Sequence, residues 1–275
     1  MKTKLHLRNN LTAFAALLAM MLIMPDQTLA QTKYGLWVTG KRVTSDNCND
    51  LTCLEDVSGK VSFSPETNTL KLSDATITYG ATVLGIENDI PLTIELEGNN
   101  KITGSNAIAS MGADTKICGS GSVEMTVDYD DAIYLKRSAS LTIEDCTMSV
   151  KGKNYGLLPI KEGSTLIVRN VATLSFEGAE AAIADIDGLV LEGSSILTPA
   201  GAAFNKNLRG VAKGGKLVSG KVVFGSAAGI DAVGADAVSA AKPGIYNLHG
   251  TRLQQSWESL PKGIYIMDGV KKVKK

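Results

Sequence analysis

Between Leu70 and Leu191 one apolar pattern returns about every 24 residues. A unit that short cannot bury its own apolar side chains and needs a neighbouring copy to cover them. Four repeats open on an apolar-x-apolar triplet: Leu70-Lys71-Leu72, Leu92-Thr93-Ile94, Leu141-Thr142-Ile143 and Leu166-Ile167-Val168. A looser opening at Ile117 and a sixth at Leu189-Val190-Leu191 complete the series, with steps of 22, 25, 24, 25 and 23 residues. A second column pairs a small residue with an aliphatic one: Gly85-Ile86, Ala107-Ile108, Ala132-Ile133, Gly156-Leu157 and Ala182-Ile183, with Ala203-Phe204 last. Its aliphatic member falls at offset 16 in four repeats and 17 in the fifth. A third column holds Ile77, Ile102, Met125, Met148 and Leu174.

Three short apolar segments per repeat, separated by Gly, Asn, Asp and Ser, read as three strands and three turns. The fold expected is all-β: a parallel β-solenoid, β-helix-like, of six to seven coils over residues 69–225. Stacking at about 4.8 Å brings equal offsets into ladders. Helix is disfavoured by the density of Gly, Thr, Asn and Ser. A β-sandwich also uses short strands at this spacing, but fixed offsets over five repeats favour the solenoid. Residues 31–68 read as an N-terminal β cap, with Trp37 and Phe63 as apolar cover for the open strand edges. KLVSGKVVFG is expected to complete the last coil. Residues 226–242 read as a linker, 11 of 17 being Ala, Gly or Ser. Residues 243–275 read as a small β module with a hairpin turn at Asp268-Gly269.

The first 30 residues have the features of a cleavable signal peptide: Lys2, Lys4 and Arg8, a 14-residue apolar stretch, then Thr28-Leu29-Ala30. That stretch is short of the roughly 20 residues a spanning helix needs, so no transmembrane anchor is expected. Cleavage is placed after Ala30. The remaining 245 residues carry 27 acidic and 25 basic side chains, the leader having taken one and three. That balance gives no basic surface for a nucleic acid.

An exported chain meets oxidising conditions, and Cys48 and Cys53 in CNDLTC are expected to form a local disulfide. Cys146 falls at the offset of Ala75 and Val171 and reads as an inward apolar filler. Cys118 reads as outward, which separates the two along the coil and disfavours a bridge between them.

Only His249 remains after the leader, and it lies far from the repeats. Histidine-based triads and multi-histidine zinc sites have no material to work with. No cofactor or metal is expected. Paired carboxylates are present at Asp128-Tyr129-Asp130-Asp131 and, more sparsely, at Asp185 and Asp187; such pairs hydrolyse polysaccharides on some scaffolds. The same residue types also fill β-turns for backbone reasons. Tyr129, Asp130, Asp131, Tyr134 and Tyr155 are the candidate ligand-binding residues, because tyrosine rings pack on sugar faces while carboxylates bond hydroxyls. Tyr134 follows inward Ile133 and should face out.

Two stretches resemble known families. YGLWVTGKRVTS followed by GKVSFSPETNTLKLSDATIT resembles the opening of secreted bacterial repeat proteins commonly labelled carbohydrate-binding domain-containing. IYNLHGTRLQQSWESLPKGIYIMDGVKKVKK resembles the C-terminal sorting domains of type IX secretion substrates, with Gly250, Gly263 and Tyr265 among the matching positions. The second resemblance implies export to the extracellular or outer-membrane surface of a Gram-negative bacterium, with the secretion machinery as partner. The expected function is a non-catalytic, glycan-binding or adhesive surface protein. The alternatives are a polysaccharide lyase or glycoside hydrolase and a purely structural spacer.

Overall fold

A computed structural model of the chain describes residues 30–80, 82–160, 162–226, 244–247, 252–253, 255–267 and 270–274. The leader, His249, Gly250 and the Asp268-Gly269 turn lie outside the described residues, as does nearly all of the linker. The chain divides into two units at Ser226/Ala227.

The first unit is a parallel β-solenoid of about five coils with three strand faces. Face one stacks Leu92–Glu97, Thr115–Cys118, Leu141–Glu144, Thr165–Arg169 and Gly188–Glu192. Face two stacks Asn99–Gly104, Ser122–Val127, Thr147–Lys151 and Thr173–Gly178. Face three stacks Leu84–Asn88, Asn106–Ser110, Ile133–Leu135, Tyr155–Pro159 and Ala181–Ile183. The strand Thr69–Thr78 starts faces one and two together, bending at Asp74, whose φ is 48°.

Inward residues make the ladders that the spacing predicts. On face three, Ile86, Ile108, Ile133, Leu157 and Ile183 lie in one register row and all are fully buried. The small residue before each is needed because the corner is tight. A Cβ on Gly156 would meet Ala182 O at 2.7 Å and the Phe176 Cβ of face two at 3.1 Å.

Two columns slip by two residues from the expected alignment. Leu70 stacks on Ile94 and not on Leu92, and Ile117 lies between Ile94 and Ile143. The position opposite Leu92 and Leu141 is Thr115, 1% exposed, its hydroxyl hydrogen-bonded to the Asn88 side chain. A polar residue in an apolar row hid that register. Met148 likewise stacks on Val123 and Leu174, while Met125 lies between Ile102 and Val150. A two-residue slip preserves which side faces in, so alternation alone does not distinguish the two registers.

The corner between faces one and two needs left-handed backbone in most coils, supplied by Asp74, Gly98, Asp145, Asn170 and Gly193. Gly, Asn and Asp are the residues that reach this region at least cost. At Gly98 a side chain would also strike the Asp74 carboxylate, which accepts from Asn99 N at 2.9 Å. Just beyond it Asn100, 4% exposed, ties three coils together. Its Oδ1 accepts from Ala75 N (2.9 Å), and its Nδ2 donates to Glu97 O (2.9 Å) and Ser122 O (3.0 Å).

Both ends depart from parallel stacking. At the start, Lys33–Val38 pairs antiparallel with Leu84–Asn88, and Val57–Ser64 with Thr69–Thr78. Leu36, Val38 and Phe63 are buried there, whereas Trp37 points outward under the Arg42 guanidinium, 4.7 Å from its ring centroid. At the other end Gly220–Gly225 does not complete a coil. It runs antiparallel to Thr173–Gly178 and Ser195–Thr198 and sets Phe224 edge-on to Phe176. That reversal accounts for about five coils where six or seven were expected, because parallel stacking stops where the chain turns back.

The expected Cys48–Cys53 disulfide is absent and both thiols are free. Asp50 caps the short turn Leu51–Cys53, accepting from Thr52 N, and Leu51 is the residue buried there. Cys53 is thereby left at the surface while Cys48 joins the core. Cys146 is 3% exposed within the apolar core, and burial pushes its thiol up to about 12. Cys118 is only half-buried and unbridged.

The second unit is an antiparallel sheet of Ile245–Tyr246, Arg252–Leu253, Gly263–Met267 and Val270–Lys274. Met267 pairs with Val270. Tyr265 is buried edge-on to Trp257 at 5.9 Å and donates to Pro261 O at 2.9 Å. No described helix is long and apolar enough to cross a membrane.

Asn100→Ala strands a backbone N–H and two carbonyls inside a corner. It should lower unfolding stability by about 2–4 kcal/mol, at the upper end for lost buried hydrogen bonds. Chemical denaturation checks this; an unchanged midpoint would contradict the bridging role.

Candidate functional site

The corner joining face two to face three carries the acidic and aromatic residues. In the third coil it is built by Asp128–Ala132 and in the fourth by Gly152–Asn154. Gly152 is required there, since a Cβ would overlap Tyr155 O. Lys153 N donates to Asp130 O at 2.9 Å, and Ala132 N to Tyr155 O at 3.0 Å, so the two turns are laced together. A shallow hollow of about 310 Å³ runs over this corner, walled in part by Asp128, Lys151, Lys153 and Glu177.

Asp131 is the unusual member. It lies in register between Asn106 and Tyr155, two residues before the Ile108–Ile133–Leu157 row. It is 8% exposed and its Oδ1 has no hydrogen-bond partner, while its backbone carbonyl accepts from Asn106 Nδ2 at 2.6 Å. Burial pushes the carboxyl up to about 6; the adjacent Asp130 charge adds to this, and the Tyr155 backbone N–H pulls the other way. Tyr155 feels the same surroundings. Burial first, then the Glu180, Asp131 and Asp185 charges, raise its phenol above the ordinary value.

The structure brings Asp130, Asp131 and Tyr155 together and separates the other two tyrosines. Tyr129 stands out at the corner, 61% exposed. Tyr134 is five residues further on, facing outward from face three between Ala109 and Leu158. One side of its ring is taken by the Lys136 ammonium, 5.2 Å from the centroid.

Next to Tyr134, at the other margin of face three, lies a larger cavity of about 700 Å³ that the spacing of residues does not foretell. Leu158, Pro159 and Ile160 form one wall; Ser138, Glu162, Asp185 and Arg209 supply the polar groups. Arg209 arrives from the chain beyond the last coil, out of reach of any repeat pattern. Asp185 and Asp187, the sparser acidic pair of the sequence, hold that arginine. Ser138, Asp185 and Arg209 all take left-handed backbone in their turns, but only Asp is a usual choice there, so the sequence carries no signal for the cavity.

Among the described residues no group of three or more His, Cys, Asp or Glu is placed to hold a metal ion. No family model, curated protein or solved structure matches the chain.

Because folding raises the affinity of Asp131 for its proton, its burial penalty grows as pH rises from about 4 to about 6 and is complete above that. Asp131→Asn should therefore raise stability at pH 7 by about 1–2 kcal/mol, allowing for solvent screening, and change little at pH 4. Thermal melts at the two pH values measure the difference; equal shifts at both would contradict a charged, strained Asp131.

Proposed function

We propose that this is an exported, non-catalytic surface or secreted protein that binds glycans along face three and its corner with face two. One observation carries the reading: Asp131 is nearly excluded from solvent yet has a carboxyl oxygen with no partner. An unpaired buried acceptor costs stability, and such costs concentrate where a group meets a ligand. Asp131 Oδ1 is itself sealed from solvent, so a sugar hydroxyl would remove the cost only by displacing the turn that covers it. Tyr155 beside it and exposed Tyr129 offer apolar rings with polar tips for the C–H face of the same sugar. The signal-like leader and the sorting-like tail, with Gly250, Gly263 and Tyr265, support export to the cell surface.

A second reading is favoured by the same carboxyl. An acid whose proton is held to about pH 6 has the property a glycosidase general acid needs.

Electrophoresis through gels containing neutral and acidic polysaccharides tests both readings. Retardation of the wild type by at least one polysaccharide, reduced about tenfold or more in affinity by Tyr155→Ala, is the expected result. Absence of retardation by any of the panel would overturn glycan binding. Accumulation of reducing or unsaturated ends would replace it with the enzymatic reading.

A further inference from the structure

We propose that the 700 Å³ cavity at the margin of face three is a sugar subsite that reads a vicinal diol of a neutral glycan through Arg209. This rests on the glycan-binding reading and deepens it, by naming the ligand chemistry and a second set of contact residues.

The guanidinium is fixed on one edge and open on the other. Its Nη2 donates to Asp185 O at 3.0 Å and to Asp187 Oδ2 at 3.3 Å, while Nε lies 3.3 Å from Asp187 Oδ1 in an ion pair without a hydrogen bond. Asp187 is itself held, accepting from the Gly163 backbone N–H. The remaining terminal nitrogen, Nη1, has only distant partners: Glu162 Oε1 and Asp185 Oδ1, each at 3.9 Å. That spacing is beyond a hydrogen bond. It leaves a donor with two carboxylate acceptors near it, all three bordering the cavity.

Two neighbouring hydroxyls complement this arrangement. Each hydroxyl would accept from Nη1 and donate to one of the two carboxylates, so the pair closes both 3.9 Å gaps at once. Such charge-assisted bonds are about twice as strong as neutral ones. Leu158, Pro159 and Ile160 provide the apolar wall that the C–H face of a pyranose requires, and Ile160 is 52% exposed. The volume lies within the range of small-ligand pockets. Little ordering is left to be done, because Arg209 is already braced. Arg209, Glu162 and Asp185 are binding residues; Asp187 is a positioning residue. An anionic sugar is disfavoured, since its carboxylate or sulfate would face Glu162 and Asp185.

The test uses the full chain in affinity electrophoresis against laminarin and mannan as neutral probes and polygalacturonate as the acidic one. Glu162→Gln removes a highly exposed carboxylate, so the fold is expected to be kept. Arg209→Lys keeps the charge but loses the planar fork; a thermal melt verifies its folding. Retardation by a neutral probe that both variants weaken about tenfold or more supports the subsite. Retardation that Tyr155→Ala abolishes and both cavity variants leave intact overturns the subsite alone. Retardation by polygalacturonate only overturns the neutral ligand class. No retardation by any probe overturns the subsite together with the reading it rests on.

Discussion

Parallel backbone pairing between successive coils is the interaction on which the rest depends. Each strand has a neighbour above and below, so a residue's environment is set by its counterparts one coil away. Ile133 is buried because Ile108 and Leu157 are in register with it. The interior is a thin stack, one inward residue deep on each face. That explains how a chain with 28 glycines and few aromatics builds an apolar core. The corners carry the complementary burden. Turning through a left-handed residue in most coils, and satisfying the backbone groups released there, falls to side chains such as Asp74 and Asn100.

Much of this could be read in advance, for a physical reason. A solenoid repeats its environment in space, so it repeats its residues in sequence, and the Ile86-to-Ile183 row could be placed to the residue. What escaped notice were the positions where a polar group does apolar duty. Thr115 fills a leucine row because Asn88 satisfies its hydroxyl, a contact 27 residues away that no local pattern announces. The Cys48–Cys53 pairing failed for a related reason. Short spacing satisfies chain length alone, and across the Asp50-capped turn Cys48 is buried while Cys53 is exposed.

The candidate site divides along the same line. Asp131 and Tyr155 were visible as a pair because they share an offset, and the structure places them side by side. Tyr134 was correctly read as outward, yet Lys136 lies over its ring, which only the fold reveals. The Arg209 cavity was invisible, because it joins the fourth and fifth coils to a segment outside the repeat. Its polar groups belong to turns and termination elements, where an irregular chain departs from the lattice of the coils. Function on a solenoid is accordingly written in the exceptions to its repeat.

The stacked-coil geometry is tested most directly by distances along one outward row of face one, where Thr69, Thr93, Lys116, Thr142, Ile167 and Val190 are in register. Spin labels placed at Thr69 and, in turn, at Thr142, Ile167 or Val190, with Cys53 and Cys118 replaced by serine, should give separations near 14, 19 and 24 Å, rising by about 4.8 Å per coil. Separations that fail to lengthen steadily in that order would contradict the fold and, with it, both proposed binding surfaces.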